Sequence, residues 1–265
     1  MTLLLLKSLV AGPPLVGKLP EADRFEFEKL VVPEQFPSLN FRQKLGHIYE
    51  DALGILLSSS DHFELIQQSV QIQRDKHTTV GELDYLIKDL GSGDLLHLEL
   101  ATKFYLAVET HDGLLLPGPD ARDNYYRKLK HLREHQLQLP KLYQENLPER
   151  IRNQEIVSQH LIYGSIFDHA SSESVASPEF IHSHCRRGCW LHHSDVGRLL
   201  ANAPRLDLIP KALWPVSPEL FGDLQLEEWN QRQRLDYCVM VRTPGDTTSY
   251  FIAPDDYPNH GAGIR

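Results

Sequence analysis

Residues 95–106 read LLHLELATKFYL, an apolar run into which Glu99 and Lys103 are set. Side chains alternate along a strand, so Leu96, Leu98, Leu100, Thr102, Phe104 and Leu106 form one face and belong to a core. His97, Glu99, Ala101, Lys103 and Tyr105 share the other. Upstream, GELDYL (81–86) begins a second run in which Leu83, Tyr85 and Ile87 alternate with Glu82, Asp84, Leu86 and Lys88. The intervening GSGD (91–94) reads as a tight turn, which makes the pair a β-hairpin. With the turn centred on Ser92–Gly93, Asp84 falls opposite Ala101 and diagonally between Glu99 and Lys103, and the two apolar faces coincide. A slip of one residue would drive Asp84 into the core. Two carboxylates and an ammonium therefore gather on one patch.

Outward from this hairpin, Phe41, Leu45, Ile48, Ala52 and Ile55 recur at helical spacing and predict a helix that ends at Ser58–Asp61. Residues 63–73 have strand character with a polar bias. Residues 111–123 are loop-like. A helix follows over about 121–137, with Tyr125, Leu129, Leu132 and Gln136 on one face and Pro140 as its stop. The segment EIVSQHLIYGSIF (155–167) predicts a buried strand ending near Gly164. A short helix from Ser194 and a closing hairpin of LDYCVMVR and SYFIAP around PGD complete the chain. The proline-punctuated residues 12–40 read as an irregular arm. The expectation is one α/β domain over 1–265: a mixed sheet flanked by helices, a core at about 41–165, and a C-terminal α+β elaboration at about 166–265.

The 265 residues are 41% hydrophobic and 24% charged, ordinary for a globular chain with a real core. Three cysteines, Cys185, Cys189 and Cys238, argue for a reducing compartment and against a disulfide framework. The opening MTLLLLKSLVAGPPL is interrupted by Lys7 and closed by Pro13–Pro14, so it reads as a helix or extended segment and not as a signal peptide. No stretch approaches the roughly 20 apolar residues of a membrane span. A cytoplasmic location without membrane contact is expected. The formal net charge of −9 counts against a protein that coats duplex nonspecifically. It does not count against carboxylates clustered around a metal.

Two adjacent carboxylates resist ionising together unless a cation neutralises them. A divalent ion with oxygen ligands and open positions is one solution, and a neighbouring lysine can orient water or stabilise developing charge. The other reading is a solvent-facing hairpin side laced by salt bridges among Glu82, Asp84, Lys88, Glu99 and Lys103, and spacing alone favours it. Against it, both strands are very apolar, and the helix at 121–137 must cover part of the sheet.

The order of a helix with an internal Glu, then GELDYL, then a strand with Glu and Lys, then a basic helix resembles the PD-(D/E)xK nuclease superfamily. The likeness is to its Holliday-junction-resolvase-like and restriction-endonuclease-like members, over about 41–165. GELDYL, HLELATKFYL, LPGPDARDNYYRKLKHLREHQLQL, RGCWL and IAPDDYP are also similar to a bacterial domain-of-unknown-function family over most of the chain. The superfamily resemblance implies a restriction-endonuclease-like sheet, with Asp84 and Glu99 as metal ligands, Lys103 as the catalytic lysine and Glu50 as a supporting carboxylate. It implies Mg²⁺ or Mn²⁺ and hydrolysis of a phosphodiester of DNA in preference to RNA. The superfamily spacing puts lysine two residues after the glutamate, where this chain has Ala101. Lys103 lies about 6.5 Å farther along the same face, a length a lysine spans. Lys128 or Lys130 could supply the ammonium instead.

The helix after residue 121 carries Arg127, Lys128, Lys130 and Arg133, a basic face suited to a phosphate backbone or simply to solvent. Gln136 is in phase with its core face. In IHSHCRRGCWLHH (181–193), Cys185, Cys189 and His192 make a conceivable zinc half-site, but no second cysteine pair exists and zinc is not expected. Arg186 and Arg187 are candidate nucleic-acid contacts, and Trp190 is a candidate packed corner. No G-x-S-x-G, P-loop or G-x-G-x-x-G strand-turn-helix occurs. Two further readings stand beside the nuclease: a non-catalytic module of the same fold binding nucleic acid or protein, and a zinc-stabilised interaction protein.

Overall fold

The computed structural model describes residues 1–172, 175–201, 203–222 and 224–258. Strands run over Asp23–Arg24 (β1), Phe63–Asp75 (β2), Thr78–Asp89 (β3), Leu95–Leu106 (β4), Val108–Thr110 (β5), Gly113–Leu115 (β6) and Ile156–His169 (β7). They continue as Arg186–His192 (β8), Asp207–Ile209 (β9), Val239–Arg242 (β10) and Tyr250–Ala253 (β11). The main helices are Thr2–Ala11 (α1), Leu45–Ser58 (α2) and Tyr125–Glu134 (α3).

One sheet carries the molecule, in the order β2-β3-β4-β7-β8-β11-β10-β9, while β1 pairs with the start of β7. Its centre, β4-β7-β8-β11, is parallel. The wings, β2-β3 on one side and β10-β9 on the other, are antiparallel. Residues 166–258 thus extend the same sheet. A parallel centre must be covered on both faces, and it is. Leu96, Leu98, Leu100 and Phe104 of β4 pack with α1 and α2. Tyr105 and Ala101 pack with Tyr125 and Leu132 of α3 and with Leu15, Val16 and Leu19. The alternation read in LLHLELATKFYL is therefore right, but neither face looks onto open solvent: His97 is fully buried and Glu99 is 3% exposed.

Three local expectations change. The hairpin turn centres on Gly91–Ser92, because the Asp89 carboxylate accepts from Gly91 N (2.7 Å) and Ser92 N (3.1 Å) and so closes the turn one residue early. Tyr85 is opposite Leu98 and Leu86 opposite His97, which brings Asp84 level with Glu99 and not with Ala101. The shift is two residues, so the faces are preserved. Second, Gly164 lies inside β7 and does not end it. Third, α3 begins at Tyr125, capped by Asn124 Oδ1, which accepts from Tyr126 N and Arg127 N. Pro140 sits in the first turn of a following helical segment, Leu139–Leu142, where its missing N–H costs nothing.

The arm at 12–40 is irregular, as expected, yet it belongs to the core through Leu15, Leu19, Phe25 and Phe27. Strand β8 was not legible as a strand. Among the described residues no helix is long and apolar enough to cross a membrane.

Candidate functional site

The ladder between β3 and β4 ends at Tyr85–Leu98. Beyond it the strands part, and the Leu100 N–H, left without a strand partner, donates to Asp84 Oδ2 at 2.8 Å. The gap opens a cleft of about 330 Å³. Glu50, Asp84, Glu99 and Lys103 all line it, with Lys128, His131 and Gln136 on the opposite wall. Four residues singled out from three separate sequence elements, α2, β3 and β4, therefore share one cavity.

Glu99 is held on the rigid centre of the sheet. Gln136, just past α3, donates to its Oε1. His97 Nε2 lies 3.5 Å from its Oε2, but neither of these two buried atoms has a hydrogen-bond partner. Burial raises the Glu99 carboxyl well above the ordinary range, Gln136 partly offsets this, and the charges of Glu50 and Glu82 add to it. Asp84 is raised as well, first by burial and then by the charge of Glu99, with the Leu100 N–H opposing. Both shifts share a cause, the burial of carboxylates close to other carboxylates. Burial also pushes His97 down to about 4, so its imidazole stays neutral and supplies no charge.

Glu50 is half-buried at the margin of α2. Its carboxylate pairs with His47 Nδ1 at 3.0 Å, and its carbonyl accepts from the Tyr85 hydroxyl. The Lys103 ammonium points toward Asp123, at 3.5 Å, across the cleft mouth from α3. Ala101 lies on the floor, where the superfamily pattern has lysine.

The basic candidates divide. Lys128 is on the cleft wall. Arg127 and Lys130 are exposed, Lys130 at 3.9 Å from Glu134. Arg133 faces away from the cleft, paired with Glu21 at 2.6 Å and stacked 4.7 Å from the centre of the Phe180 ring. Arg187 forks onto Asp168 (2.6 and 2.9 Å) and also donates to the Val175 carbonyl. Arg186 is enclosed and donates to Ser165 Oγ and to the carbonyls of Trp214 and Pro215. Burial lowers it to about 10. Its guanidinium is engaged by these internal acceptors.

Trp190 is a packed corner, donating to the Ala107 carbonyl at 2.9 Å with Tyr257 edge-on. His192 is engaged by the Tyr257 carbonyl and Cys185 Sγ by that of Arg186. Among the described residues no three His, Cys, Asp or Glu side chains gather to hold an ion. In the acidic cleft, Asp84 and Glu99 are the more deeply buried carboxylates, with Glu50 beside them on the lining. Two carboxylates are a sufficient protein contribution for Mg²⁺, which keeps several waters and takes its other ligands from a phosphate. The buried, unpartnered Glu99 Oε2 is the position such an ion would satisfy.

Sequence reading undervalued Gln136 and His131 of the cleft lining, and Asp123, the partner of Lys103. Gln136 carried a signal: a polar residue on the buried stripe of an amphipathic helix must meet a polar partner. The other two carried none.

Fold and cleft together define a mixed α/β protein with an acidic site where the wing strand β3 parts from the central strand β4. Residues 21–252 match the family described as Domain of unknown function (DUF1853), and the chain belongs to that family. No curated protein and no solved structure matches it.

Proposed function

We propose that the protein hydrolyses a phosphodiester of nucleic acid, DNA in preference to RNA, in a Mg²⁺- or Mn²⁺-dependent reaction at a PD-(D/E)xK-like site. The observation that carries this reading is the convergence of Glu50, Asp84, Glu99 and Lys103 on one cleft. Asp84 and Glu99 would hold the ion, with Glu50 adding negative charge nearby; a divalent ion there would supply charge neutralisation and Lewis-acid polarisation of a phosphoryl oxygen. Lys103 orients the attacking water or meets the charge that develops on phosphorus, and Lys128 faces the neighbouring phosphate oxygens. Gln136 donates to one oxygen of the Glu99 carboxylate and so fixes its orientation.

The contact between Lys103 and Asp123, with Ala101 in the expected lysine position, favours a second reading. In it the same fold binds nucleic acid or a protein without catalysis.

Titration calorimetry with Mn²⁺ separates the readings at their root. Wild-type protein is expected to bind, and Asp84→Asn to lose the binding and to cut a labelled oligonucleotide about 10²–10³-fold more slowly. Cleavage that survives both EDTA and Asp84→Asn would sink the proposal. Metal binding without cleavage would leave the non-catalytic reading in its place.

A further inference from the structure

The cleft is not uniform. Glu50, Asp84 and Glu99 give it an acidic lining, and Leu15, Val16, Leu129, Leu132 and Ile162 an apolar one, all within the same volume of about 330 Å³. That is the lower end of the range for small-molecule pockets. A duplex can place a base in such a recess only by unpairing and unstacking it, at a cost of a few kcal/mol. A strand that is already unpaired pays nothing of the kind.

The distribution of positive charge points the same way. Proteins that follow a duplex neutralise several phosphates in a row. Here Arg133 is bound to Glu21, Arg187 to Asp168, Arg186 is enclosed, and the exposed Arg127 and Lys130 do not line the cleft. Lys103 and Lys128 are the lysines on the cleft wall. Two ammonium groups match one phosphodiester, not a backbone. The net charge of −9 repels the rest of a long polyanion.

Resting on the reading given above, we infer that the cleft takes a single unpaired nucleotide, its base against the apolar lining and its phosphate against Lys128 and the acidic lining. The substrate class is therefore single-stranded nucleic acid or an unpaired end or flap, and not intact duplex. Leu129 and Leu132, one face of α3, press on the base. His131, one turn on from Lys128 and stacked at 5.0 Å on His135, presents a ring at the rim.

The test uses the dinucleotide pdTdT and the full chain, with calorimetry in Mn²⁺ as the readout. Wild-type protein is expected to bind it saturably. Leu129→Trp, which crowds the apolar lining, should weaken binding at least about tenfold while leaving Mn²⁺ binding unchanged. Lys128→Ala, at an exposed position, should weaken it without touching the core, so a folding defect in the Trp variant does not blunt the test. In competition, single-stranded dT₁₂ should displace pdTdT at least about tenfold more effectively than a blunt 12-mer duplex. Equal displacement by the duplex, or pdTdT affinity unchanged in both variants, would overturn the inference. Absence of Mn²⁺ binding with pdTdT binding intact would remove hydrolysis and keep the single-nucleotide cleft. Mn²⁺ binding without any pdTdT binding would do the reverse.

Discussion

Asp84 and Glu99 show how one residue's setting decides its chemistry. Each has a folded-state pKa raised above the carboxylate range, by burial first. A group raised in this way binds its proton more tightly folded than unfolded. Its contribution to stability is complete below the unfolded carboxylate pKa and is lost as pH rises through the folded value. The melting temperature of metal-free protein should therefore fall as pH is taken from about 5 to about 9, and Mn²⁺ should restore it most at the alkaline end. Glu99→Gln should flatten the dependence, and an unchanged slope in that variant would show that these carboxylates are not the cause. Gly164 is decided by sterics alone. Its φ is +142°, and a Cβ there would stand 1.5 Å from the Lys103 carbonyl oxygen of the neighbouring strand. Gly164→Ala should cost more than about 3 kcal/mol in urea unfolding. A variant with wild-type stability would mean that β4 and β7 do not approach so closely beneath Lys103.

At the scale of elements, β4 supplies both the core and the site because its two faces meet different layers. The α2 face is apolar apart from Thr102. The α3 face mixes Ala101 and Tyr105 with His97, Glu99 and Lys103, and α3 closes over them. The displaced lysine is a question of position along this one strand. If Lys103 acts in catalysis, Lys103→Ala should reduce cleavage about 10²-fold or more. Adding Ala101→Lys to that variant should recover part of the loss, since position 101 faces the same cleft one pleat closer to Glu99. No loss from Lys103→Ala would assign the ammonium elsewhere, with Lys128 the nearest alternative. The ladder's early end at Tyr85–Leu98 is an equally local matter. Asp84 substitutes a side-chain acceptor for a strand, and the gap it holds open is the cleft itself.

Across the whole molecule, the C-terminal strands lock onto the centre through buried polar contacts as well as packing. Arg186 ties β8 to Ser165 of β7 and to the carbonyls of Trp214 and Pro215, while Ser8 of α1 donates to the same Pro215 carbonyl. Arg186→Ala strands those acceptors in the core and should cost about 2–4 kcal/mol in thermal or urea unfolding. The folded fraction should keep its affinity for oligonucleotide. Loss of binding without loss of stability would return Arg186 to the nucleic-acid surface.

The sequence by itself determined the strands on either side of the Gly91–Asp94 turn, their faces, the helices around Ile48 and Leu129, and four of the cleft's residues. Period and alternation are properties of a single element, and one strand's burial pattern is written in its own residues. It did not determine β8, whose RRGCWLH carries no alternation because its side chains serve three different contacts. Nor did it distinguish a buried acidic face from a solvated one. Both readings fit Glu99 until α3 is seen to cover it, with Gln136 donating to the carboxylate. The gathering of Asp84 and Glu99 in one cleft, the engagement of Arg133, Arg186 and Arg187 by partners within the chain, and the mixed acidic and apolar lining of the cleft were decided by tertiary structure. Each depends on which distant segment comes to lie against a side chain, and a local pattern carries no record of that.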